Sequence, residues 1–167
     1  MKDFAVLRIN FKGATESHSI EYKDTLREAE TRYHNIITAD IGNSQVDYSL
    51  AMIFNRGANK LEGEIHDYRE EKTAFYPLIR IYEDETMHNS VQIFADDPEN
   101  PGVAYRMAEK RWYAVIASDL DNEDVTYNAA ILMDNNGSMG DFHKAFESPA
   151  PVPDVEPEEE PEESGEE

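Results

Sequence analysis

The chain has 167 residues and a mass of 19.1 kDa, enough for one ordinary domain or two very small ones. It contains no cysteine, which excludes a disulfide framework, a thiolate nucleophile and cysteine-based zinc or iron–sulfur sites. Its net charge of −21 and pI near 4.4 oppose binding to nucleic-acid backbones and anionic membranes, and favour basic partners.

The chain opens with Phe4 to Phe11, where Leu7, Ile9 and Phe11 alternate with Arg8, Asn10 and Lys12, the period of a half-buried strand. Charges at Lys2, Asp3 and Arg8 come too early for a signal-peptide core, and no apolar run approaches the roughly 20 residues of a membrane span. The protein is therefore expected to be soluble and intracellular. Ile20 and Tyr22 mark a second strand. Thr25-Leu26-Arg27-Glu28 is a capping-box pattern, and Ala29, Tyr33, Ile36 and Ile37 follow on one helical face that Gly42 closes. A strand with Val46, Tyr48, Leu50, Met52 and Phe54 on one side comes next, then turn residues Asn55-Arg56-Gly57 and a last strand.

The same series then recurs. Arg27 to Asn55 aligns without gaps on Arg106 to Asp134, with ten of 29 positions identical. Among them are Ala29/Ala108, Asp40/Asp119, Asn43/Asn122, Tyr48/Tyr127 and Ala51/Ala130. Upstream, Leu7-Arg8-Ile9 meets Ile79-Arg80-Ile81; downstream, Gly63-Glu64-Ile65-His66 meets Gly140-Asp141-Phe142-His143. The reading is an α+β protein built as a tandem duplication of a β-β-α-β-β unit, each antiparallel sheet covered by one helix. The units run over residues 1–70 and 74–147, and a short linker spans about Arg69 to Ala74. Asn100 is expected to cap the second helix, with Pro101 at its first position. Ala51, Ile53, Ala130 and Leu132 are expected on the sheet faces away from the helices, so the sheets should join edge to edge or pack together. Residues 148–167 form a Pro/Glu-rich tail with nine acids and no base, expected to be disordered because it has little apolar surface to offset ordering entropy.

Chemistry is sparsely marked. Five histidines, His18, His34, His66, His88 and His143, show no i, i+4 pair that would bind a metal from one helix face. Asp119 to Asp124 resembles a calcium loop but lacks its sixth-position glycine and twelfth-position carboxylate. Asp40, Asn43, Asp119 and Asn122 are expected to turn the chain after each helix. No nucleophile elbow, phosphate loop or dinucleotide fingerprint occurs. The chain is read as a non-enzyme with no cofactor, metal or catalytic residues. The charged residues retained between the copies, Arg27, Glu30 and Arg32 with Arg106, Glu109 and Arg111, are the candidate interaction surface.

The opening strand Phe4 to Phe11, the helix Arg27 to His34, the apolar strand after it and the acidic Pro/Glu tail resemble short acidic-tailed proteins of Firmicutes bacteriophages and prophages. Those proteins are single units without an assigned activity. The resemblance implies a phage origin and a place in the cytoplasm of the infected host, or in the virion. Three functions are carried forward: a non-catalytic virion-associated or assembly module acting through a protein partner, an acidic nucleic-acid mimic that inhibits a host defence or DNA-processing enzyme, and a single-strand-binding protein with an acidic tail. The third conflicts with the charge of the body, about which direct nucleic-acid or membrane contact is not expected.

Overall fold

Strict alternation in β1 (Phe4–Lys12) sends its two faces to different partners. In the computed structural model, which describes residues 2–58, 60–70, 72–133 and 146–147, β1 pairs antiparallel with β2 (Thr15–Lys23) on one side. The connecting turn places Gly13 at φ 58°, a left-handed conformation that a side chain would strain. On its other side β1 pairs with β3 (Tyr48–Asn55), and β4 (Lys60–Asp67) completes a sheet of order β2-β1-β3-β4. The second half repeats this order as β6-β5-β7-β8, with β5 (Phe75–Glu83), β6 (Met87–Ala95), β7 (Tyr127–Leu132) and β8 (Phe146–Glu147). Register is repeated as well: Arg8 stands opposite Ala51 in the first sheet, and Arg80 opposite Ala130 in the second.

Each sheet carries one helix, α1 (Leu26–Ile41) on the first and α2 (Val103–Leu120) on the second. The other faces of the two sheets meet. Leu7, Ile9, Leu50 and Met52 from the first share one buried cluster with Ile79, Ile81, Ala129 and Ile131 from the second. The layers therefore run helix, sheet, sheet, helix. Burying such side chains contributes about 1.5–3 kcal/mol each, so this inner seam is the main store of apolar burial. Of the two arrangements that the sequence leaves open, the sheets adopt face-to-face packing.

The sidedness of the central strands is the reverse of the expected one. Ala51 and Ile53 pack under α1 with Val6, Ala29 and Ile36, while Ala130 and Leu132 pack under α2 with Ala104 and Ala108. Alanine against alanine brings a helix close to its sheet, whereas the bulkier row led by Tyr48 and Leu50 fills the wider gap between sheets.

Helix starts differ between the halves. Thr25 and Glu28 form the expected reciprocal capping box on α1. Asn100 does not cap α2. That helix begins at Val103 after Gly102, whose φ of 84° reverses the chain, and the carboxylate of Asp96 accepts from the Gly102 and Ala104 amides at 3.0 Å each. The capping group thus comes from the end of β6, and Pro101 lies in the preceding turn. The linker is pinned: Arg69 chelates Asp67 and donates to the Thr73 carbonyl. The expected turn at Asn135 to Ser138, the strand around Gly140 to His143 and the acidic tail lie outside the described residues.

Candidate interaction surface

The charged residues common to the two halves fall on two separate surfaces, because α1 and α2 are the outermost layers on opposite sides of the sandwich. Arg27 and Glu30 are exposed on α1, and no ion pair joins them; Arg106 and Glu109 on α2 are likewise unpaired with each other among the described residues. Arg32 is engaged. Its guanidinium reaches Glu21 on β2 at 2.5–2.7 Å, and Lys23 contacts the second oxygen of that carboxylate at 3.1 Å. The hydrogen bond from Arg32 holds the Glu21 carboxyl below its ordinary range, against the opposing effect of burial and with help from Lys23. In the second half the matching register position is Gln92, so Arg111 has no equivalent carboxylate and stays exposed.

A cleft of about 550 Å³ lies between β2 and the first turns of α1, lined by Tyr22, Lys23, Arg27, Thr31, Arg32 and Asn35 with two acidic neighbours, Asp24 and Glu28. The corresponding cleft on the second copy, about 510 Å³, is bordered by Phe94, Val103, Ala104 and Met107, with Asp97 and Asn100 at its rim. One is polar and the other largely apolar. Neither Arg106 nor Arg111 lines the second cleft.

Two groups missed in the sequence lie beneath the helices. Arg8 chelates Asp40, and Ser49 donates to the same carboxylate at 2.6 Å; Arg80 chelates Asp119, to which Asn128 also donates. The Asp40 and Asp119 side chains are about 1% exposed, so they do not turn the chain as expected. That work falls to Asn43 and Asn122, whose side-chain oxygens accept from Gln45 and Asp124 amides. The signal is present in the alignment: Arg8 and Asp40 both recur at matching positions, as Arg80 and Asp119. Of the alternating polar positions on β1, Arg8 is thus engaged by Asp40, Asn10 is buried and Lys12 is exposed.

The inward-turned Asp119 is unavailable to the acidic loop that follows it. Among the described residues no group of three His, Asp or Glu side chains is placed to hold a metal ion. His66 meets Glu64 at 2.9 Å, and His88 meets Asp84 and Thr86 at 2.9 Å each, both at strand ends. His143 lies outside the described residues. No described helix is long and apolar enough to cross a membrane.

The buried polar groups around Asp40 and Asp119 hold each helix to its sheet. No protein-family model, no curated protein and no solved structure matches the chain.

Proposed function

We propose that the chain is a non-catalytic interaction module of bacteriophage type, built by tandem duplication of one β-β-α-β-β unit and acting in virion assembly or in the cytoplasm of the infected host. The observation that carries this reading is the exposure of large apolar side chains on the outermost helix of the second unit. Val103, Met107, Tyr113 and Leu120 on α2 are 48–63% exposed, twice as many such residues as α1 presents with Leu26 and Ile41. Large apolar side chains exposed along an outer helix offer a contact surface. The duplication supplied a second helix whose outside was free to change while its inside continued to hold the sheet.

Affinity capture with the full chain from infected and uninfected host lysates, fractionated into particles and soluble protein, tests the reading. Capture of a particle component that Met107→Glu abolishes supports it. Capture of a DNA-binding enzyme that ignores Met107→Glu and weakens with salt favours the acidic-mimic reading instead. Recovery of bound single-stranded nucleic acid would favour the third.

A further inference from the structure

The outer faces of the two helices differ at several exposed positions. Asp24, Glu28, Thr31, His34, Asn35 and Thr38 along α1 and its lead-in stand where α2 has Val103, Met107, Lys110, Tyr113, Ala114 and Ala117. These six changes remove two acids and add one base, while Arg27 and Glu30 recur as Arg106 and Glu109. Arg106, Lys110 and Arg111 are all exposed, and none forms an ion pair among the described residues. Helical spacing puts Arg106, Lys110, Ala114 and Ala117 on the outward side, opposite the buried Ala108, Trp112 and Val115, with Met107 and Arg111 beside them. The more acidic half of the molecule therefore has, on its outermost layer, a strip of three bases and several apolar side chains with Glu109, half-exposed, at its edge. Acidic loops bound the strip, with Asp96, Asp97 and Glu99 before the helix and Asp121, Glu123 and Asp124 after it. A ligand for it must be acidic, extended and able to reach the two central turns.

We propose that this strip is the docking surface for the chain's own acidic segment, Val152 to Glu167. The inference rests on α2 being an interaction face and names its occupant. Charge complementarity is the first argument: the segment has nine acids and no base, with Val152 and Val155 as apolar partners for Met107 and Tyr113. Reach is the second. Glu147 pairs with Tyr127 at the start of β7, which follows α2 after a six-residue loop, so the chain leaves the sheet near the C-terminal end of α2. Twenty extended residues cover roughly 60 Å, at about 3.1 Å each, whereas the 18 residues of α2 cover about 27 Å. Tethering also gives the segment an effective concentration that a free acidic peptide lacks, which matters for an ion-pair interaction screened beyond about 10 Å at 0.1 M salt.

The chain has no cysteine, so Ser164→Cys in the full-length protein accepts a single nitroxide label. In low salt, the amide signals of residues 106–117 should lose most of their intensity through paramagnetic broadening, while those of α1 keep theirs. The broadening should disappear in about 0.5 M salt, where screening lengths fall to a few ångströms. It should also disappear in the Arg106→Glu, Lys110→Glu, Arg111→Glu variant, whose outward positions leave the buried face intact. Absence of broadening on α2 in low salt overturns the proposal, as does equal broadening in the variant. Broadening that appears only when spin-labelled and isotope-labelled chains are mixed overturns it in favour of a second copy's segment. Partner capture is a separate readout, so loss of the partner leaves this result standing, and loss of broadening leaves the partner result standing.

Discussion

Asp40 and Asp119 each gather an arginine from the first strand of their unit and a polar side chain from the third, all under the last turn of a helix. The carboxylate is buried while its arginine is about a quarter exposed, so the charge pair is desolvated from one side only. Removing the acid strands a guanidinium and an amide in a site built around it. Asp119→Ala should therefore cost about 3–5 kcal/mol in denaturant unfolding, and the Arg80→Met, Asp119→Leu double substitution should recover much of the loss. Equal destabilisation by both would show that packing, not the orphaned charge, dominates. Asp67 gives a pH-dependent counterpart. The hydrogen bond from Arg69 holds its carboxyl below the ordinary 3.8 despite partial burial, and Arg69 lies 4.8 Å over Phe75 and 5.3 Å over Tyr48 across the seam. A carboxylate with a depressed folded pKa stabilises above its unfolded value and loses that contribution as the pH falls through the folded one. Stability should fall on acidification below pH 3.8, and Asp67→Asn should flatten that limb while lowering stability at neutral pH.

At the scale of elements, the two helix starts make the sharpest contrast. Thr25 caps α1 from its own sequence, which local pattern reveals; Asp96 caps α2 from six residues before Gly102, across a turn that local pattern does not reveal. Asp96→Ala should cost about 0.5–2 kcal/mol, as loss of an N-cap does, with Asn100→Ala close to neutral. The reverse ranking in thermal unfolding would restore the cap assigned from sequence. Trp112 projects from α2 onto the sheet, 8% exposed, and donates to the Ala130 carbonyl at 3.1 Å. Trp112→Ala should be among the most damaging single changes, about 3–5 kcal/mol, and Tyr33→Ala milder because Tyr33 is half-buried. Strands, helices and their order were legible because periods of 2 and 3.6 are local properties, and the repeat supplied each one twice. Sidedness was not. A strand such as Tyr48–Asn55 is buried on both faces, so its pattern does not say which face meets the helix and which the other sheet. Identity between the two halves singles out Arg27, Glu30, Arg32, Arg106, Glu109 and Arg111, whereas the exposed Val103, Met107 and Tyr113 of α2 stand where the halves differ, so a comparison for identity passes over them.

For the whole molecule, the inner faces of the two sheets form a common core, which predicts that neither unit is stable alone. Side chains cross the seam at its rim as well. Arg56 of the first half meets Glu83 at 2.7 Å and lies 4.0 Å over the Tyr127 ring, and Asn89 of the second donates to the Tyr22 hydroxyl at 3.0 Å. Trp112 is the only tryptophan and sits in the second unit, so its fluorescence reports that unit selectively. Leu50 is fully buried in the first sheet on the face toward the second. The decisive measurement is thermal unfolding of full-length Leu50→Ala followed by Trp112 emission. A Leu→Ala change in a packed core costs about 2–5 kcal/mol, and about 2–4 °C per kcal/mol applies at this size. A shared core predicts one transition, with the Trp112 midpoint lowered by at least several degrees and coincident with the circular-dichroism midpoint. A Trp112 midpoint unchanged from the wild type, while circular dichroism shows an earlier separate transition, would contradict it.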